Sequence, residues 1–363
     1  MSEATTRIHL RQAMFTEKER TLLEHADFHI TAWQYDSGVA ALKISNSKGH
    51  VIVLPFHGQQ IWRAHLLGRE LTMRSNFDEP RNTRTYLENY GGFLLHCGAT
   101  AMGVPTAEDN HPLHGELPNA PYQQAFLDLG EDAKGSYVAL AGVYQHTVAF
   151  GSNYLAKPYL KMYEGSSLLW LKLTIDNLGN SPMDLMYMAH INFCPVDNAV
   201  LMSSVDNSQE QPMRVRRSIP SHVIPSAEYL AFLDKLEENP RAHETLDPSL
   251  SFDPEVVFYI DYASDADGWA HTLQRHPDGS ADYVCHRPNE LTKGVRWICR
   301  TPDKQALGLV LPATAEPEGH SAETRKGNVL SLAAKSQFQY SLGMGALDVG
   351  QATDVANVIN SLG

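Results

Sequence analysis

The chain is poor in the features that mark several common protein classes. Its 363 residues hold four cysteines, Cys97, Cys194, Cys285 and Cys299, and none sits in a C-x-x-C pair. That argues against a disulfide or zinc framework and for buried free thiols in a reducing compartment. Basic charge is also scarce: the net charge is −13, which argues against nucleic acid or an anionic membrane as the main partner. The nearest basic cluster, "RVRR" at 214–217, is too short to reverse this; it could be a local anion contact, although such a run is more often a solvated loop. No apolar run approaches the ~20 residues of a membrane span. The N-terminus lacks a charged-then-apolar leader pattern, so a soluble cytoplasmic protein is the expectation.

Glycine-rich phosphate loops are missing, as is any regular alternation of strands with long helices, so a doubly wound nucleotide fold is disfavoured. What is present is a series of short apolar runs cut by turn residues. "VAALKIS", "HVIVLPF", "YVALAGVY", "LLWLKLTID", "MDLMYMAHINF", "VVFYIDY", "VRWICR" and "ALGLVLP" read as strands, and "NSKG", "DNLGN", "HPDGS" and "TPDK" as turns between them. Repeated strands of this kind predict an all-β antiparallel sandwich or barrel. Apolar residues, 43% of the chain, suffice for a large core. No linker divides the chain, so one large domain over residues 1–363 is expected. Ser226 is a good N-cap for a helix over "AEYLAFLDKLEEN". A shorter helix is expected over "TEKERTLLEHA", and a long polar loop over 202–225.

Candidate chemistry begins with "MDLMYMAHINF", residues 183–193. At period two, Met183, Leu185, Tyr187, Ala189, Ile191 and Phe193 form a core face. The other face carries Asp184, Met186, Met188, His190 and Asn192, which suits a concave pocket walled by methionine with a His/Asn tip. A histidine satisfied by nearby backbone is the simpler alternative. In "HPLHGELPN", residues 111–119, Pro112 and Pro118 exclude regular helix or central strand around His111, His114 and Glu116. Without H-x-x-x-H spacing a metal role is disfavoured, and without a G-x-S-x-G elbow so is a serine hydrolase. "FHGQQIW" offers His57, Gln59 and Trp62. "DYASDADGW", with Asp265, Asp267 and Gly268, reads as a turn rather than a calcium loop. Trp297 of "RW" could present a flat face to a sugar, although a half-buried strand tryptophan is more common.

"GGFLLHCGATAMGVP" ahead of "LHG", a strand ending "HINF" near mid-chain, and "GLVLPATAEPEG" near the end resemble the aldose 1-epimerase (galactose mutarotase-like) superfamily. The closer resemblance is to a branch near the deoxyribose mutarotases. It spans roughly residues 35–347, and the order and spacing of the motifs carry it. It implies a large antiparallel supersandwich with one or two short helices. It also implies a cofactor-independent reaction in which a carboxylate and a histidine open the ring of an unphosphorylated aldose, which then recloses as the other anomer. His114 matches the first family histidine and His190 the second, the general acid, expected near its unperturbed pKa. The family's glutamate falls on Pro312, so Glu316 is taken as the base, with Glu318 and Glu323 behind it. Arg84, Glu116, Asn192, Gln59 and Trp297 are the expected substrate-binding residues, and Glu116 could replace the missing base. The implied partner is a small-molecule sugar, with neither nucleic acid nor membrane, and the protein a monomer or homodimer. A non-catalytic sugar sensor on the same fold is the alternative. A glycoside hydrolase would need a carboxylate pair that the sequence does not offer.

Overall fold

In the strand Asn153–Tyr163, alternate residues from Tyr154 to Met162 are buried and those between are half-buried. One covered face and one open face is what period-two apolar patterning produces. This strand pairs antiparallel with Gly135–Thr147 and Leu168–Asn177 inside a nine-stranded sheet. The computed structural model describes residues 5–219 and 224–362, and a second sheet, of thirteen strands, packs against the first. The core between them joins Leu127, Leu140, Leu171 and Leu342 of the smaller sheet to Leu42, Leu94, Tyr187 and Leu309 of the larger. Each such side chain contributes about 1.5–3 kcal/mol when fully buried. The architecture is the antiparallel β-sandwich expected from the sequence.

The strand Met183–Ile191 is buried at every position but Asp184. It lies inside the larger sheet, flanked by Leu94–Ala99 and Gln305–Ala313. Tyr187 points towards the smaller sheet, where the Tyr340 hydroxyl donates to its own. Met188 and His190, one pleat out of phase, therefore face the opposite side of the larger sheet. That outer face carries the cavity described below.

The helix Ala227–Glu238 forms as expected. The Ser226 hydroxyl accepts from the Tyr229 N–H at 3.1 Å, and Tyr229, Leu233 and Leu236 are buried. Residues 16–26 depart from expectation: Arg20–His25 is a strand, paired with Phe28–Gln34. The hairpin turns on Ala26 at φ 52°, a conformation for which Ala-Asp gives little warning. The polar stretch expected as a long loop over 202–225 holds strand at two places, the end of Val200–Ser203 and Met213–Val215; residues 220–223 lie outside the described residues. The helix Val349–Leu362 went unread in the sequence; it packs Ala352, Ala356 and Ile359 on Leu273 and Tyr283. All four cysteines are free thiols. Among the described residues no helix is long and apolar enough to cross a membrane.

Candidate functional site

The end of the strand Met183–Ile191 delivers His190, and Asn192 follows one pleat later. The Asn192 Nδ2 group donates to Gly92 O at 3.0 Å. That bond fixes the orientation of the amide, so Oδ1 is the atom lying 2.7 Å from His190 Nδ1. The proton of the neutral ring therefore sits on Nδ1, which leaves Nε2 as an acceptor. The Tyr90 hydroxyl also donates to Asn192 Oδ1, at 3.2 Å. Burial pushes the His190 pKa down to about 4, although the Asn192 bond and the nearby Glu255 charge work the other way.

His114 arrives from the loop flagged in the sequence. His114 and Gly115 have φ of 59° and 81°. A Cβ on Gly115 would lie 2.2 Å from Ala101 O and 2.4 Å from Gly98 O, so only glycine lets the loop pass so close to the neighbouring backbone. Glu116 ties the loop down. Its carboxylate accepts from the Ala99 and Thr100 N–H groups at 3.2 and 3.0 Å, and from the Thr100 and Tyr154 hydroxyls at 3.1 and 2.7 Å. Arg84 adds bonds to Asn119 O and Glu116 O at 2.7 and 2.9 Å. The result is a rigid mount that holds the His114 ring perpendicular to that of His190, with centroids 5.5 Å apart.

A third wall comes from strand pairing distant in sequence. Val256–Ile260 lies beside Lys293–Arg300, with Val257 opposite Trp297. The Trp297 ring stands 5.5 Å from His190 and 5.9 Å from Tyr90. Its Nε1–H donates to Glu255 Oε2 at 2.7 Å. Arg216 donates to the other oxygen, Oε1, at 2.6 Å. Burial disfavours the Arg216 charge, but the Glu255 carboxylate more than offsets this and leaves its pKa raised. Together Tyr90, His114, Met188, His190, Glu255 and Trp297 surround a cavity of about 730 Å³, within the range typical of small-molecule sites. Val257, Val295 and Leu311 give it an apolar floor.

Of the residues expected from the sequence, His114, His190 and Trp297 meet at this cavity, and Asn192 stands behind His190. Four others do not line it. Glu316, expected as the base, is buried in a separate cluster, where Arg214 and Lys326 pair with it. Glu316, Glu318 and Glu323 lie close enough to share a cation, and the Lys326 ammonium bonds to all three. Glu116 and Arg84, expected as sugar ligands, are the loop fastenings just described. Gln59 is buried and donates to Pro55 O. His57 bonds Asn119 and Asn89 in the interior, and Trp62 is core. Asp265 makes the expected turn, accepting from the Asp267 and Trp269 N–H groups.

Sequence reasoning missed Glu255, Tyr90 and Arg216. Glu255 had one usable signal: an acid at the mouth of the strand run "VVFYIDY", directly after Pro254. Arg216 had none, because its basic neighbours pointed to solvent.

A family model described as Domain of unknown function (DUF4432) matches residues 36–217. No curated protein matches the chain by sequence. Among solved structures, the chain is similar to a candidate aldose 1-epimerase from Klebsiella pneumoniae. That match has a TM-score of 0.83 and 16% identity, covering 99% of this chain and 96% of the other. A galactose mutarotase-like protein from Clostridium acetobutylicum gives 0.59 at 12% identity, covering 89% and 99%. A galactose mutarotase related enzyme from Lactobacillus acidophilus gives 0.55 at 11%, covering 85% and 98%. At these identities the shared property is the galactose mutarotase-like fold.

Proposed function

The chain belongs to the DUF4432 family, and on the geometry of its cavity we propose that it is an aldose 1-epimerase, interconverting the anomers of a sugar by non-covalent ring opening. The observation that carries this reading is the pair of perpendicular imidazoles, 5.5 Å apart, in a cavity that also holds Trp297 and the Glu255 carboxylate.

The acid and base roles differ from those the resemblance implied. With its pKa near 4, His190 is neutral at neutral pH, and Asn192 keeps its proton on Nδ1. Nε2 is then a base. It takes the proton of the anomeric hydroxyl as C1=O forms and the bond from C1 to the ring oxygen breaks. His114 supplies a proton to that ring oxygen. Rotation about C1–C2 presents the other face of the aldehyde. Reclosure returns the proton from His190 to the new anomeric oxygen and the hydroxyl proton to His114, so no atom is gained or lost. General acid–base assistance of this kind is worth ~10²–10⁴-fold. Glu255 accepts from Arg216 and from the Trp297 indole, and in this proposal its carboxylate also accepts from a sugar hydroxyl. Trp297 and Tyr90 offer apolar faces to the C–H side of the ring.

Exchange NMR of freshly dissolved aldoses, with and without protein, tests this reading. A binding-only reading draws on one observation: Glu255, the acid beside His190, is held by both Arg216 and Trp297. Engaged in this way, Glu255 binds a hydroxyl rather than deprotonating it, and turnover rests on His190 Nε2 as the one base. Binding of an aldose with no acceleration of anomer exchange would favour that reading.

A further inference from the structure

The turn "TPDK" carries a residue that the ring-opening steps above leave unused. It joins the strands Lys293–Arg300 and Gln305–Ala313, with Pro302 at the second turn position, where its fixed φ belongs. The Thr301 N–H donates to Lys304 O at 2.8 Å, and the Lys304 N–H donates to Thr301 Oγ1 at 3.1 Å. These bonds fix the Lys304 backbone at the rim of the cavity. A lysine at a hairpin tip ordinarily extends its head into water. Lys304 is instead half-buried, with its ammonium 4.8 Å from the centre of the Tyr90 ring. That ring stands T-shaped to His190, 5.5 Å away.

Among the described residues, the lysine and arginine side chains that line the cavity are Arg216 and Lys304. Arg216 is committed to Glu255. Its neighbours in the basic run at 214–217 are committed too, Arg214 to Glu316 and Arg217 to Asp234, so that run is not the solvated loop its sequence suggests. Lys304 differs. Among the described residues its ammonium makes no ion pair and no hydrogen bond, although Asp253 and Asp303 line the same cavity. Its N–H donors therefore remain for a ligand. Its charge also reaches the reacting end: burial is the main cause of the low His190 pKa, and Lys304 acts in the same direction.

Resting on the proposed ring opening, we propose that Lys304 is a further catalytic residue, whose ammonium donates to the sugar's oxygens and stabilises the negative charge they carry in the transition state. His190 removes one proton from the sugar and His114 delivers another. Where removal runs ahead of delivery, negative charge builds on oxygen, and a cation already in place stabilises it without reorganisation. In a cavity walled by Tyr90, Trp297 and Met188, that attraction is stronger than it would be in water. Lys304 keeps its proton throughout, so the balance of atoms in the reaction is unchanged.

Anomer exchange of glucose, galactose and xylose, followed by NMR over a range of concentrations, gives kcat and KM. The full chain is used as wild type, Lys304→Met, Lys304→Gln and Lys304→Arg. Methionine keeps an unbranched stem beside Tyr90 and removes the charge, glutamine is a second neutral variant that guards against misfolding of the first, and arginine keeps the charge. The expected result is a kcat lower by about tenfold or more in the neutral variants, with KM within about threefold, and recovery of most of the rate in Lys304→Arg. Thermal unfolding of the same samples shows that the variants compared are folded. Neutral variants with the wild-type kcat, a loss confined to KM, or an arginine variant as slow as the methionine one overturns the assignment. A wild type that accelerates none of the sugars removes the epimerase reading and the role of Lys304 with it. Wild-type acceleration undiminished by Lys304→Met and Lys304→Gln removes Lys304 alone.

Discussion

Asn192 Oδ1 lies 2.7 Å from His190 Nδ1, and that contact decides which nitrogen of the imidazole meets the ligand. The amide can accept there only because its other end is committed to Gly92 O. Removing the amide frees the tautomer. Asn192→Ala is expected to lower kcat by roughly 10²-fold, the scale of one acid–base contribution, with a smaller change in KM. Steady-state anomerisation kinetics check it.

The pH dependence separates a basic from an acidic His190. With its pKa near 4, a basic His190 gives a kcat/KM whose acidic limb falls as the pH drops through about 4. An acidic role gives the opposite slope, with activity rising as the ring becomes charged. Asn192→Asp adds a negative partner and should move the acidic limb upward. A pH–rate profile of wild type and variant reads both.

Glu255 and Glu316 are separable by a matched pair of substitutions. Glu255→Gln is expected to weaken sugar binding and turnover at least tenfold, the cost of losing a charged acceptor. Glu316→Gln should leave kcat/KM within about twofold, because Glu316 sits with Lys326 outside the cavity. The reverse ranking would restore Glu316 as the base.

Glu116 is expected to act on stability before activity. Glu116→Ala strips partners from the Ala99 and Thr100 N–H groups and the Tyr154 hydroxyl. Orphaned donors cost about 1–3 kcal/mol each, so a loss of several kcal/mol should be visible in denaturant unfolding.

How much of this was legible in the sequence follows from the range of each interaction. Strands, the Ser226 cap and His190 rest on local period and neighbours, and local pattern reaches them. The hairpin at Ala26 hid because its turn lacks Asn-Gly chemistry. Glu255 reaches Trp297 only because Val256–Ile260 pairs with Lys293–Arg300, a register that no local pattern encodes. The same is true of Arg216, whose charge suggested solvent until strand pairing buried it. Glu116 beside "HG" looked functional on composition, and only the three-dimensional path of the loop shows it holding backbone.

Acid should loosen the fold through its buried histidines. His57, His96 and His190 are held near pKa 4 and His286 near 3, all by burial. In the unfolded chain they return to about 6.5. Between those values the unfolded state binds more protons, so stability falls as the pH drops from about 6.5 towards 4 and is fully present above 6.5. Each group costs about 1 kcal/mol per pH unit in that window. Thermal unfolding at pH 7.5 and 5.5 should show a clear drop in Tm at the lower value.

The most direct test of the proposed chemistry is exchange NMR of anomers, over neutral and anionic aldoses, with wild type and His190→Ala. Wild type should accelerate exchange of at least one sugar, and His190→Ala should remove ~10²–10⁴-fold of that rate while the protein stays folded. A His190→Ala protein that exchanges anomers as fast as wild type, or a wild type that accelerates none of them, would contradict it.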